Sequence, residues 1–287
     1  ICSLMVYTEL HAHSAYSFLD GASLPEELAV RAAELGYEAL ALTDHDGVYG
    51  SLEFAHAAKA FGVRPITGAE VTLRDGSHVT LLVESASGYA NLCRLLTAAH
   101  AGTRPKEGEP ALDSALDHAL LEELNDGLVC LSGCSRLGLG VRNPNAAAQL
   151  AQAFGRARFF VELQRPFERG DVRRNAQLRD LAEALRVETV VTGDVHAHAA
   201  SRAPLQDALV AIRHRTSLEG SEPERRGNHE AVLRPPGEVA GRFPLDRDAV
   251  ERTALVAERC EFDLTQELGY RYPDFSDGAV PAIKRLA

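Results

Sequence analysis

Two histidines stand two residues apart in the stretch Tyr7-Thr-Glu-Leu-His-Ala-His-Ser-Ala-Tyr-Ser-Phe-Leu-Asp20. Residues i and i+2 of a strand point to one face. His11 and His13 at a strand end would therefore present two imidazoles side by side, half of a metal site. Asp20 follows within a short loop and adds a hard oxygen donor. An H-x-H pair alone is weak, because it recurs by chance. Its weight comes from the other segments, each of which delivers a further donor: His45, Glu70, His100, Cys134, and Asp194 with His196.

These nine residues mix imidazole, carboxylate and one thiolate, a set that suits Zn²⁺, Mn²⁺ or Fe²⁺, with the thiolate tilting toward zinc. Nine donors exceed one tetrahedral ion. They suit two or three ions bridged by a carboxylate, and Glu70 and Asp194 are the natural bridges and the catalytic candidates. Closely spaced ions can clamp a phosphate and generate hydroxide at neutral pH. Each residue also has a plainer reading. His100 could serve as a helix C-terminal dipole partner, Cys134 as a small buried hydrophobe, and Asp20 as a turn residue before Gly21. Asp44 is placed behind a ligating imidazole, orienting it. Glu162 stands at a strand end on an undetermined face, and His198 ranks below the nine. His56, His78, His118, His214 and His229 have no strand-end placement and read as ordinary surface or helix residues.

Alternating strands and helices must position these donors. Val6 to Leu10 reads as a first strand. Ser23-Leu-Pro-Glu26 reads as a capping box opening a helix that Gly36 stops. The apolar run from Glu38 to Thr43 reads as a buried parallel strand, followed by a helix over 49–61 and a strand from Arg64 to Val71. A turn at Asp75-Gly76 leads into a hairpin partner over 78–83. Helices are expected over 87–101, over 112–124 with Asp113 as cap, after the Asn143-Pro144 start, over 175–186 and over 201–213. Strands are expected over 127–131, 158–163 and 188–192. The region 102–110 reads as a polar loop. Donors at the ends of many strands converge only if the strands close into a ring, so the pattern predicts an α/β barrel with its chemistry at the strand C-termini. No G-x-G-x-x-G follows the first strand, which counts against a dinucleotide fold. Beyond Thr216 the chain turns polar, with one amphipathic helix over 248–260 and an extended Tyr270-Arg-Tyr-Pro-Asp-Phe275. The expected division is a barrel over 5–215 and a connector over 216–287.

The 287 residues carry 45 % hydrophobic and 25 % charged side chains, ordinary for a soluble globular protein. No apolar run suits a membrane span, and no signal peptide is visible. Five scattered cysteines argue against a disulfide framework and for a reducing cytoplasm. A net charge of −11 is the wrong sign for holding nucleic acid through phosphate neutralisation alone.

Leu10-His-Ala-His-Ser, Leu42-Thr-Asp-His-Asp46, Thr67-Gly-Ala-Glu70 and Gly193-Asp-Val-His196 resemble the motifs of the PHP (polymerase and histidinol phosphatase) superfamily. Ser17-Phe-Leu-Asp-Gly-Ala-Ser23, Leu131-Ser-Gly-Cys134, Val161-Glu-Leu-Gln164, Leu233-Arg-Pro-Pro236 and Ala257-Glu-Arg-Cys260 are similar to the N-terminal PHP domain of error-prone C-family bacterial polymerases. The likeness runs roughly from Met5 to Phe275. It implies a distorted seven-stranded (β/α) barrel with a trinuclear metal centre on the nine residues, and hydrolysis of phosphodiesters at a DNA 3′ end. It also implies the rest of the polymerase, with other replication or repair proteins, as partners. Family polymerases carry their nucleotide-transfer carboxylates in a downstream palm domain, so this stretch is expected to lack polymerase activity. A structural metal-braced module and a free-standing small-molecule or nucleotide phosphatase are the competing expectations.

Overall fold

The computed structural model describes residues 7–105 and 112–269. Val6, most of the polar loop over 102–110, the extended Tyr270–Phe275 and the far part of the connector lie outside the described residues. Among the described residues, six strands form one curled sheet in chain order: β1 (Ala39–Leu42), β2 (Arg64–Thr72), β3 (His78–Val83), β4 (Leu128–Leu131), β5 (Phe159–Gln164) and β6 (Glu188–Thr192). The helices are α1 (Pro25–Glu34), α2 (Ser51–Ala60), α3 (Ala86–Ala99), α4 (His118–Glu123), α5 (Leu139–Arg142), α6 (Pro144–Phe154), α7 (Asp171–Leu185), α8 (Ala203–Arg213), α9 (Pro236–Arg242) and α10 (Arg247–Arg259).

The expected first strand is not a regular one. Its described part makes isolated parallel bridges, Glu9 to Leu40 on one side and Ala12 to Val195 on the other. Ala41 and Thr43 donate to the carbonyls of Glu9 and Ala12, and His13 donates to that of Val195. The segment thus lies between β1 and the chain that follows β6. Strand β3 is antiparallel to both β2 and β4, whereas the other pairings are parallel. The Asp75-Gly76 turn makes this reversal, with Gly76 at φ +76°, a conformation that costs glycine little.

Side-chain alternation sorts the strands into two apolar layers. Leu40, Leu42, Val79, Leu81, Leu128, Cys130, Phe159, Val161 and Val191 face outward and pack against the helices. Leu10, Ala39, Ala41, Ile66, Leu82, Val129, Leu131, Phe160 and Val190 form a separate cluster inside the curl. Val256 and Ala257 of α10 and Cys260 just after it join that inner cluster, and Arg64, at the start of β2, donates to the carbonyls of Ala257 and Cys260. Helix α10, which the sequence reading set apart in the connector, therefore packs on the inner core at the end where the parallel strands begin.

Two helix starts differ from expectation. Leu24 precedes the first turn of α1, and its N–H donates to the Glu27 carboxylate at 2.9 Å; Ser23 instead pairs with His198. Helix α4 begins only at His118, capped by Asp117 and not Asp113. The backbone before it is committed elsewhere: Leu116 bridges Leu73 and exchanges hydrogen bonds with Thr72 and Arg74.

Candidate metal centre

Continuing the inward side of each strand toward the opposite end exchanges apolar residues for donors. Along β2 the inward series runs Ile66, Gly68, Glu70; along β5 it runs Phe160, Glu162, Gln164; from β6 it runs Val190, Thr192, Asp194. Strand β3 runs the other way, so its inward series Leu82, Thr80, His78 reaches the same end at its first residue. Period-two alternation thus carries the interior of the curl from a dry core to a polar mouth.

The donors there converge. Glu70 Oε2 lies 3.6 Å from His11 Nε2, 3.4 Å from His13 Nε2 and 3.1 Å from His45 Nδ1. Asp194 Oδ1 lies 3.6 Å from His13 Nε2 and 3.5 Å from His196 Nδ1. Asp20 Oδ2 lies 3.2 Å from His45 Nε2 and 3.5 Å from His196 Nε2. The rings of His13 and His45 stack at 4.5 Å, and His13 and His196 stand 4.4 Å apart. His11, His13, His196, Glu70 and Asp194 are buried. Cys134 lines the same cavity of about 590 Å³, which has the volume of a small-molecule site.

Seven of the nine sequence candidates thus form one constellation, and Cys134 borders it. His100 does not. It caps the C-terminus of α3, its Nε2 bonds the Asp46 carbonyl at 2.7 Å, and it lines a separate cavity that none of the clustered imidazoles borders. His78, read from sequence as an ordinary residue, stands there instead: its Nδ1 lies 3.2 Å from Glu70 Oε1 and its ring 5.4 Å from that of His45. Glu162 faces inward and meets His11 Nδ1 at 2.6 Å. Asp44 does stand behind an imidazole, at one remove. It accepts from Ser17 Oγ at 2.7 Å, and Ser17 Oγ is 3.2 Å from His13 Nδ1. Arg226 was not foreseen; its guanidinium lies 3.0 Å from Asp194 Oδ2 and 2.7 Å from His196 Nε2. His198 pairs with Ser23 Oγ at 2.8 Å.

The buried charges follow from these neighbours. Burial would raise the Asp20, Glu70 and Asp194 carboxyls, but facing imidazoles, and Arg226 for Asp194, hold all three well below the usual range. His13 is pushed down to about 3 by burial and by His196 and His45, which keeps its ring neutral with a lone pair to donate. Burial opposes charge on His45, yet Glu70 and Asp20 raise it to about 9. Burial, with Glu70 and Asp194 nearby, raises the Cys134 thiol; a coordinated cation inverts that balance.

The donor set fits metal ions on a direct observation. Among the described residues, His11 Nε2, His13 Nε2, His78 Nδ1 and Glu70 Oε1 are buried without a hydrogen-bond partner, a costly condition for polar atoms. Those atoms belong to donor groups whose ligand atoms lie within 4.8 Å of one another: His11–His13–Glu70, His13–His45–His196 and His45–Glu70–His78. Cations would satisfy them together, while the Nδ1 contact of His11 to Glu162 is the outer-sphere partner that a ligating imidazole requires.

The PHP domain family matches residues 9–166. The chain is 39% identical over 299 residues to an error-prone DNA polymerase of Symbiobacterium thermophilum, a match that covers 97% of this chain and 27% of that protein. It is 40% identical over 291 residues to an error-prone DNA polymerase of Mycobacterium tuberculosis, covering 95% of this chain and 26% of the relative. The chain thus spans about a quarter of the length of the curated relatives it matches. Among solved structures, a Bifidobacterium adolescentis protein assigned as a metal-dependent phosphoesterase matches with a TM-score of 0.48 at 15% identity, over 66% of this chain and 87% of that one.

Proposed function

The chain belongs to the PHP domain family, and on that footing we propose that it is the metal-dependent phosphoesterase module of an error-prone bacterial DNA polymerase, a 3′–5′ exonuclease working in replication or damage-tolerant repair synthesis in the cytoplasm. The observation that carries the hydrolytic reading is the group of unpartnered buried donor atoms, His11 Nε2, His13 Nε2, His78 Nδ1 and Glu70 Oε1, around a cavity open to a substrate. A palm domain elsewhere in the polymerase would carry nucleotide transfer. In this reading the segment over 8–13 is the seventh stave of the barrel, supported by its bridges to both neighbours, and the region over 216–287 is the connector toward the palm.

Two or three divalent transition-metal ions, zinc with Mn or Fe as alternatives, would be held by His11, His13, Asp20, His45, Glu70, His78, Cys134, Asp194 and His196. When bound they supply a water of lowered pKa and a positive clamp for phosphate oxygens. The chain's own residues do the rest. Glu70 faces three imidazoles through one oxygen and His78 through the other, a bridging disposition. Asp194 faces His13 and His196 through one oxygen while the other meets Arg226, and it is the second candidate bridge. Glu162 and the Ser17–Asp44 pair fix the tautomers of His11 and His13. Water adds to the terminal phosphodiester, the P–O bond to the penultimate 3′ oxygen breaks, and that oxygen takes up the proton. Arg226, beside Asp194, is placed to hold a non-bridging phosphate oxygen.

The test is hydrolysis of an end-labelled single strand by the metal-loaded chain and by Asp194→Asn, with metal content measured on both. Loss of one ligand should lower the rate at least about 100-fold, since weaker outer-sphere changes already cost 10–100-fold. A retained rate at full metal content would mean that the bridge is assigned wrongly.

A further inference from the structure

The mouth of the cavity carries an aromatic ring that hydrolysis itself leaves without a role. Phe18 lines the cavity together with Asp20, His45 and His196, yet the residue is 82% exposed. The turn that holds it is built firmly. The Asp44 carboxylate accepts from the Ser14 amide at 2.6 Å, from Ser14 Oγ at 2.8 Å and from Ser17 Oγ at 2.7 Å. Ser17 Oγ also receives the His45 amide, and the Ser17 carbonyl receives the amides of Asp20 and Gly21. Leu19 takes φ +61°, a left-handed conformation unfavourable for a leucine and of the kind retained where a ligand clamp over-determines the backbone. The same turn that brings the Asp20 carboxylate to His45 and His196 leaves Phe18, two residues earlier, in solvent at the rim. Helix α8 supplies Arg213 to the same cavity, 3.6 Å from Asp20 Oδ2.

An exposed ring and a cationic side chain that line one cavity, at a centre read as phosphate-cleaving, have the parts of a nucleotide platform: a π-face for a base and a charge for the backbone. Most of the donors, His11, His13, Glu70, Asp194 and His196 among them, lie buried inside the curl, and a phosphodiester within a base-paired stack does not reach such a centre unless its nucleotide is released. We propose, resting on the phosphoesterase reading above, that the substrate is an unpaired nucleic-acid end, whose terminal base stacks on Phe18 while Arg213 meets the adjoining phosphate. Because every base has a π-face, the platform selects for an unpaired end and not for a base identity.

The test uses the full chain and a single-stranded oligonucleotide ending in 2-aminopurine, whose fluorescence is quenched by stacking. The wild type should quench it on binding. Phe18→Ala should abolish most of the quench and weaken binding by about 5- to 150-fold, the range for loss of one base–aromatic stack, whereas Phe18→Tyr should retain both. In hydrolysis, the ratio of kcat/KM for the oligonucleotide to that for bis(p-nitrophenyl) phosphate, which has no base, should fall about tenfold or more in Phe18→Ala. An unaltered quench in Phe18→Ala, or an unaltered ratio, would overturn the platform while leaving the phosphoesterase reading standing. A wild type that cleaves neither diester but shows the Phe18-dependent quench would sink the phosphoesterase reading and leave the platform intact.

Discussion

Glu70 Oε1 lies 3.2 Å from His78 Nδ1, and neither atom has a hydrogen-bond partner among the described residues. Both side chains are at most about one-tenth exposed. The pair joins adjacent strands across the hairpin that the Asp75-Gly76 turn creates, so His78 shares a carboxylate with His45 on the opposite side of β2. Two facing buried polar atoms without a bond cost stability unless one cation satisfies both.

That contact separates His78 from His100. His78→Ala should lower the bound metal of the purified chain, measured by elemental mass spectrometry, and His100→Ala should leave it at the wild-type level. His100 is already engaged with the Asp46 carbonyl. Metal loss in His100→Ala with full loading in His78→Ala would return His100 to the ligand set.

Glu162→Gln tests the outer sphere. Glu162 Oε1 meets His11 Nδ1 at 2.6 Å and also receives Gln164 Nε2 and Thr192 Oγ1. Removing its charge should weaken metal binding about 10- to 100-fold, read by competition with a chromogenic chelator. Unchanged affinity would show that His11 is oriented without it.

Metal binding to the native state adds to folding free energy. At 100 times Kd the gain is about 2.7 kcal/mol, and a chain of this size shifts its Tm by roughly 2–4 °C per kcal/mol. Chelation should therefore lower the melting temperature by about 5–10 °C, and His13→Ala should reduce that difference. Equal melting with and without chelator would uncouple the centre from the fold.

Stability in acid should report the hairpin turn. Burial would raise the Asp75 carboxyl, but bonds from Ser77 and Asn143 hold it down from 3.8 to about 2. A carboxyl depressed on folding stabilises fully above its unfolded value, and that stabilisation is lost as pH falls through the folded one. Asp75→Asn should flatten the loss of stability between about pH 4 and pH 2, by on the order of 1 kcal/mol given its partial exposure. Urea midpoints at pH 7, 4, 3 and 2 would show it, and parallel curves for the two proteins would refute it.

Local chemistry was legible in the sequence. His11 with His13, and Asp194 with His196, are close pairs whose spacing alone presents two donors together, and the apolar runs before His45, Glu70 and Asp194 mark strands that deliver them. Strand direction and long-range pairing were decided only by the tertiary structure. His78 opens its strand, and a search of strand C-termini passes over it; antiparallel pairing of β3 brings that first residue to the mouth. The inward face of Glu162 is set by the β5–β6 register, and Arg226 arrives from a polar segment with no periodicity to read, held by Asp194 at a separation of 32 residues. Side-chain periodicity is a property of neighbouring residues along one chain segment, whereas which strand end faces which is settled by packing between segments, and the metal-binding mouth is made by the second.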